Sequence, residues 1–369
     1  MAERSSKPTR ANGAPAAVDE VAGLHLPSLR ALTRGIQLFV LISVAAIVVG
    51  LWWKAPASAR TLVRHLDWRY VALIPVLVFA DYCLGGLRYR ALFNGRILTQ
   101  VSLWTNMRAN WANIFLGAAT PFQTGGGPAQ IYMLWRGGAR VSEALLASLI
   151  NFGSTLLFFL ASSVAAILLL PHGLFPPSVT GMIRGGFAVL VLVILLVLAA
   201  LAFPHTALAV VRWIYDRWLT RSRRLARSRD HVIAGLEGGI LHFRDALRQT
   251  LRRGKGALAA TVGLTLLLFF NKYTIGYVLV RALGQTVPYD VFLGLQCIQL
   301  GLIYFAPTPG ASGVAEVSSF WLMATMLPKE LLVVYTVLWR FFTTVLGAII
   351  GGFLLIVDMR RFARERGAG

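Results

Sequence analysis

Two short stretches hold most of the chemistry this chain offers. The first reads Thr120-Pro121-Phe122-Gln123-Thr124-Gly125-Gly126-Gly127-Pro128-Ala129-Gln130. The second reads Pro307-Thr308-Pro309-Gly310-Ala311-Ser312-Gly313-Val314-Ala315-Glu316. In each, proline stops an incoming helix, and glycine lets the backbone turn and approach another group closely. The outgoing half-helix then presents unbonded N–H groups, a natural site for an anion such as a lipid phosphate. Small residues in the same places also suit tight packing of hairpin on hairpin. The sequence leaves both readings open.

Glu316 and Arg340 form the sharpest pair. Arg340 lies about ten residues, or roughly 15 Å, into the last apolar run. Glu316 precedes that run at a spacing that allows similar depth. An unpaired charge there is expensive, and ionisable residues inside a membrane usually pair and mark a pathway. A fixed structural ion pair is the competing reading. Asp81, Arg88, Asn271 and Lys272 are further polar residues in apolar surroundings, with Arg88 and Lys272 placed where they can snorkel. Asn110 and Asn113, on the incoming limb of the first turn, are expected to face a cavity.

Other chemistry finds little support. Cys83 and Cys297 sit in apolar runs without metal or disulfide spacing, and the histidines follow no zinc motif. No D-x-D occurs, and of the 15 acidic residues only Asp81 and Glu316 fall well inside apolar runs. No cofactor and no metal are expected.

The elements that must position these residues follow from composition. Of 369 residues, 57% are hydrophobic and only 14% charged, against about 25% charged in soluble domains. With a mean hydropathy of +0.66, a soluble enzyme is excluded. The relevant ruler is the bilayer, at about 20 residues per helical span. Long apolar runs occupy Ile36–Trp53, Tyr70–Leu87, Ala144–Leu170, Ile183–Phe203, Ala257–Val280 and Leu331–Val357. Two less apolar segments, 101–136 and 289–327, carry the Pro/Gly turns at their centres and read as broken helix pairs.

The formal charge of +21 suits an anionic membrane surface and not nucleic acid, because the apolar runs decide between them. With the N-terminus inside and each broken pair returning to its own side, inside loops hold 26 Lys and Arg against 6 outside. The loop 54–69 runs against the trend, yet the balance places both termini in the cytoplasm. Residues 1–35 read as a disordered basic tail, 204–255 as a cytoplasmic amphipathic insertion and 358–369 as a basic tail.

The chain also repeats itself. Thr120-Pro121 answers Thr308-Pro309 and Gly125 answers Gly313, an offset close to 188 that maps 70 to 258 and 101 to 289. The charge assignment sends the two copies in opposite directions, an inverted repeat of 36–170 and 171–357. The expected fold is an all-α polytopic membrane protein with about six full transmembrane helices and two opposed re-entrant hairpins. Such halves commonly meet at a substrate site built from broken helices. The first-half counterparts of Glu316 and Arg340 fall near Gln130 and Asn151, which are neutral, so the halves are not chemically equivalent.

With both turns in hand, the chain resembles the flippase-like transmembrane domain of lysylphosphatidylglycerol synthase, the membrane part of the bacterial multiple peptide resistance factor. The resemblance covers roughly 36–358. The pattern T-P-F-x-x-G-G-x-P-x-Q is met at Thr120, Pro121, Phe122, Gly125, Gly126, Pro128 and Gln130, and P-T-P-G-x-x-G-x-x-E at Pro307, Thr308, Pro309, Gly310, Gly313 and Glu316. Arg340 fits the family's late arginine. The sequence ends at Gly369, where full synthases continue into a soluble aminoacyl-transferase domain. The resemblance therefore implies a bacterial inner-membrane protein that translocates or accommodates an anionic or headgroup-modified lipid, and implies no lysyl transfer. Expected partners are the lipid substrate and anionic headgroups, with a homodimer or a lipid-biosynthesis enzyme left open. The alternative is a membrane-embedded lipid-pathway transferase or its accessory subunit. Asn110, Asn113, Thr120, Pro121, Gln123, Gly125, Gly126, Gly127 and Gln130 are the lipid-binding candidates of the first half. Pro307, Thr308, Pro309, Gly310, Ser312, Gly313, Glu316 and Arg340 are those of the second.

Overall fold

A computed structural model describes residues 66–120, 123–169, 203–214, 254–304 and 306–367, with isolated positions between 181 and 199 and between 248 and 252. The regular elements among the described residues are all helical. They are α1 (Trp68–Leu92), α2 (Leu103–Ala119), α3 (Gly126–Arg136), α4 (Val141–Leu169), α5 (Pro204–Ile214), α6 (Lys255–Ala282), α7 (Tyr289–Tyr304), α8 (Val314–Met323), α9 (Lys329–Arg340) and α10 (Leu346–Gly367). The expected span Ile36–Trp53, most of Ile183–Phe203 and most of the 204–255 insertion lie outside the described residues.

Among the described residues, four helices are long and apolar enough to cross a membrane: Trp68–Leu92, Val141–Ala166, Lys255–Ala282 and Lys329–Glu365. They coincide with four of the apolar runs read from the sequence. Large apolar side chains such as Val76, Phe79, Leu157 and Phe353 stay exposed on them, as a lipid-facing surface requires. The last of the four contains a π-helical turn, Phe341–Val345, which joins α9 to α10. Helix α10 continues through the stretch read as a basic tail, to Gly367.

The two Pro/Gly segments fold as broken helix pairs. Helices α2 and α3 have 17 and 11 residues, and α7 and α8 have 16 and 10. Each is shorter than the roughly 20 residues a full span needs. Local chemistry sets their ends. Ser102 caps α2 by accepting the Thr105 N–H at 3.1 Å, the usual role of an N-cap serine. Glu143 caps the start of α4, accepting the Arg140 and Thr99 N–H groups at 3.2 Å.

The order long, short, short, long runs from α1 to α4 and returns from α6 to α10. Helices α6, α8 and α9 begin at 255, 314 and 329, against 68, 126 and 141 for α1, α3 and α4. The packing is reciprocal. Helix α2 lies along α10, and α7 lies along α4, so the first limb of each broken pair rests on the last helix of the other half.

Helices α1 and α6 pack antiparallel: the Asp67 N–H bonds the Ala282 carbonyl at 3.0 Å, and further along Lys272 Nζ reaches Asp81 Oδ2 at 2.7 Å. Helices α2 and α10 are also antiparallel. A Cβ on Gly351 would lie 2.0 Å from the Trp111 carbonyl oxygen, so this crossing requires glycine. At one end of it Asp358 bridges two limbs, 2.6 Å from Arg108 Nη2 and 3.2 Å from Arg136 Nε. Arg136 also reaches Glu365 at 3.0 Å and lies 4.8 Å over the Phe362 ring.

Candidate functional site

A cavity of about 690 Å3 lies among α1, α2, α3, α4, α6, α7 and α9. It gathers part of the sequence-derived set. Asn110, Asn113, Gln123, Gly127 and Gln130 line it from the first half, and Gly310 and Arg340 from the second. Pro121 lies outside the described residues. The remaining candidates shape the two turns and do not line the cavity.

In the first turn, the Thr120 hydroxyl donates to the Leu116 carbonyl at 2.7 Å and accepts the Gly125 N–H at 2.8 Å. A Cβ on Gly125 would meet Thr120 at 2.8 Å, and one on Gly126 would meet Asn113 at 3.0 Å. These two glycines therefore serve the packing of α3 on α2. Gly127 has open space around its Cβ position and lines the cavity. Gly126, one residue or about 100° of helix away, does not line it. Gln130 is 2% exposed and its amide is well occupied. Its Oε1 accepts from Tyr89 and from Asn113, the latter at 3.0 Å, and its Nε2 donates to Ser148. It braces three helices where they border the cavity.

In the second turn, Pro309 opens a short 3-10 turn that packs against α2. Pro307, Pro309 and Gly313 are exposed, and Thr308 and Ser312 half-buried. Arg340 holds this turn from two sides: Nη2 donates to the Gly310 carbonyl at 2.7 Å, and Nε lies 3.2 Å from Glu316 Oε1. The other carboxylate oxygen of Glu316 accepts the Gly313 N–H at 2.7 Å. One of the orphan donors at the start of α8 is thus taken by the chain's own carboxylate.

The Glu316 side chain is 36% exposed, so the pair is only partly buried. We expect a coupling of about 1 kcal/mol, below the ~3–5 kcal/mol of a dry pair. A double-mutant cycle of Glu316→Gln and Arg340→Gln, read by thermal unfolding in detergent, checks this. Strict additivity would remove the pair from the account of the turn.

Four features escaped the sequence reading. Arg88, read as able to snorkel, is 8% exposed and lines the cavity. Lys272, read the same way, forms a buried ion pair with Asp81, and both border the cavity. The amide of Asn151 lines the cavity with neither its nitrogen nor its oxygen hydrogen-bonded. The π turn after Arg340 brings Thr343 and Thr344 to the same wall. Such turns recur at functional sites, and nothing in a run of apolar residues announces one. The arrangement can receive a polar, anion-bearing group within a largely apolar protein.

Residues 40–351 match the family described as the lysylphosphatidylglycerol synthase TM region. The chain belongs to that family. A relative described as a UPF0104 membrane protein, from Archaeoglobus fulgidus, is 22% identical over 304 residues, covering 82% of this chain and 91% of the relative. Family membership and the four long apolar helices together make this a multi-pass membrane protein, and the family places it in lipid handling.

Proposed function

We propose that this member of the lysylphosphatidylglycerol synthase transmembrane family moves an anionic or headgroup-modified lipid across the inner membrane without altering it covalently. The observation that carries the reading is the cavity of about 690 Å3 between two broken helix pairs, where Arg88, Asn110, Asn113, Gln130 and Arg340 border an otherwise largely apolar wall. A headgroup cannot cross hydrocarbon cheaply, because a buried unpaired charge is costly. A polar cavity reached from either side lowers that barrier. Irregular backbone at membrane depth is tolerated where it is buried in protein or borders a wet cavity.

The reading includes an inverted repeat. The antiparallel packing of α1 on α6, the near-188 register of helix starts and the reciprocal contacts α2–α10 and α7–α4 support it. The two broken pairs then act as alternating gates, with both termini on the cytoplasmic side. Substituted-cysteine labelling at 137 and 285 tests the topology: 137 labels from inside and 285 from outside. Labelling of both from one side would sink the inverted repeat.

Activity is tested with purified protein in liposomes bearing a fluorescent anionic lipid in one leaflet. The protein accelerates exchange between leaflets and leaves the lipid unchanged. Gly127→Leu, which projects into the cavity, should cut the rate about tenfold or more while leaving membrane insertion and thermal stability unchanged. A covalently altered lipid that disappears with Glu316→Gln would overturn this reading in favour of a transferase.

A further inference from the structure

Among the described residues, the charges around the cavity do not balance, and the imbalance has one owner. Lys272 is answered by Asp81 at 2.7 Å, and Arg340 by Glu316 at 3.2 Å. Arg88 borders the same cavity at 8% exposure, and no salt bridge among the described residues includes it. Its Nε is buried without a hydrogen bond, and its guanidinium lies 5.8 Å from the centre of the Tyr89 ring. A buried cation in that state is expensive unless something else neutralises it.

Asn151 adds a second unmet demand. It is 4% exposed, with its amide nitrogen and oxygen both buried and unbonded on the same cavity wall. Native proteins leave few such groups unsatisfied. An arginine fork suits two phosphate oxygens, and a neutral amide can donate to a third or accept from a hydroxyl.

We propose that Arg88 is the phosphate anchor of this cavity, and that the cavity selects a phosphodiester lipid of single net negative charge. The proposal rests on the lipid-handling reading above and adds a specificity to it. One unanswered cation matches one phosphodiester anion. A diphosphate brings further negative charge that, among the described lining residues, falls to Lys272 or Arg340, at the cost of breaking an existing pair. A zwitterionic headgroup satisfies Arg88 but adds an ammonium beside it. Asn151 recognises a neutral, hydroxyl-bearing remainder of the headgroup.

Native mass spectrometry of the detergent-solubilised protein tests binding apart from transport. The probes are phosphatidylglycerol, phosphatidylethanolamine and a polyprenyl diphosphate. The wild-type protein should favour phosphatidylglycerol over each by about tenfold, the worth of one charge-assisted hydrogen-bonded contact. Arg88→Gln removes that preference and Arg88→Lys keeps most of it. Asn151→Leu weakens phosphatidylglycerol binding yet retains the charge preference. In lipid-free detergent, Arg88→Gln unfolds at the same temperature as wild type or higher, because it removes an unanswered charge. A purely structural arginine would show the reverse. Retained preference in Arg88→Gln, or a lower unfolding temperature for it, overturns the assignment. Selective, Arg88-dependent binding in a protein that fails to exchange lipid in liposomes would sink the transport reading and leave this one standing.

Discussion

Asp81→Asn should destabilise the protein by about 3–5 kcal/mol, the usual cost of stripping one partner from a buried ion pair. The Asp81 and Lys272 side chains are 6% and 18% exposed and meet at 2.7 Å, so water does little to relieve the charge left behind. The pair fastens the middle of α1 to α6, where Asn271 also donates to the Leu77 carbonyl at 2.9 Å. Lys272→Met alone should cost a comparable amount. The double variant Asp81→Asn, Lys272→Met should recover most of it, since neither charge then remains. Thermal unfolding in detergent measures all three. A single variant within about 0.5 kcal/mol of wild type would show that the ion pair does not hold the helices together.

Gly351→Leu should be at least as damaging. Its first side-chain atom would lie 2.0 Å from the Trp111 carbonyl oxygen and 2.5 Å from the carbonyl carbon. The obstacle is backbone, so no rotamer change can relieve it, and α10 must leave α2. Ordinary overpacking costs about 1–3 kcal/mol, and we expect about 3 kcal/mol or more here. The expected result is loss of the monodisperse peak after detergent extraction. Phe353→Leu, two residues on at an exposed position, should change stability by no more than about 0.5 kcal/mol. If Gly351→Leu extracts and melts like wild type, the α2–α10 crossing is looser than its geometry implies.

The broken pairs were legible because proline and glycine announce themselves by type. Residues 101–136 and 289–327 of the sequence reading contain α2–α3 and α7–α8. The Glu316–Arg340 pair was legible for a different reason: two charges in apolar runs have few places to go. Asp81 and Lys272 were equally visible as charges, yet their pairing spans 191 residues and depends on the antiparallel register of α1 and α6. Arg88 was misjudged because distance from a helix end says nothing about which face a side chain takes. The same limit separates Gly126 from Gly127: composition marks a glycine run, and only the helix phase decides which member packs and which opens. Glu316 shows a further loss. Its spacing from Gly313 is that of a helix cap, and its spacing from Arg340 that of an ion pair, and the two carboxylate oxygens serve both at once.

The reciprocal packing of the halves has a consequence for how the chain is made. Arg108 on α2 is synthesised 250 residues before Asp358 on α10. At about 5–20 residues per second, α2 waits roughly 10–50 s for the helix that covers it. During that interval the first broken pair, too short to span and carrying Arg108 and Arg136 without their carboxylate, cannot reach its final contacts. The second half has no such delay, because α4 is already in place when α7 emerges. Biogenesis is therefore asymmetric even where the finished packing is reciprocal: the nascent first half needs shelter from lipid or a chaperone, and ribosome-stalled chains ending before Gly351 should be the ones most readily degraded.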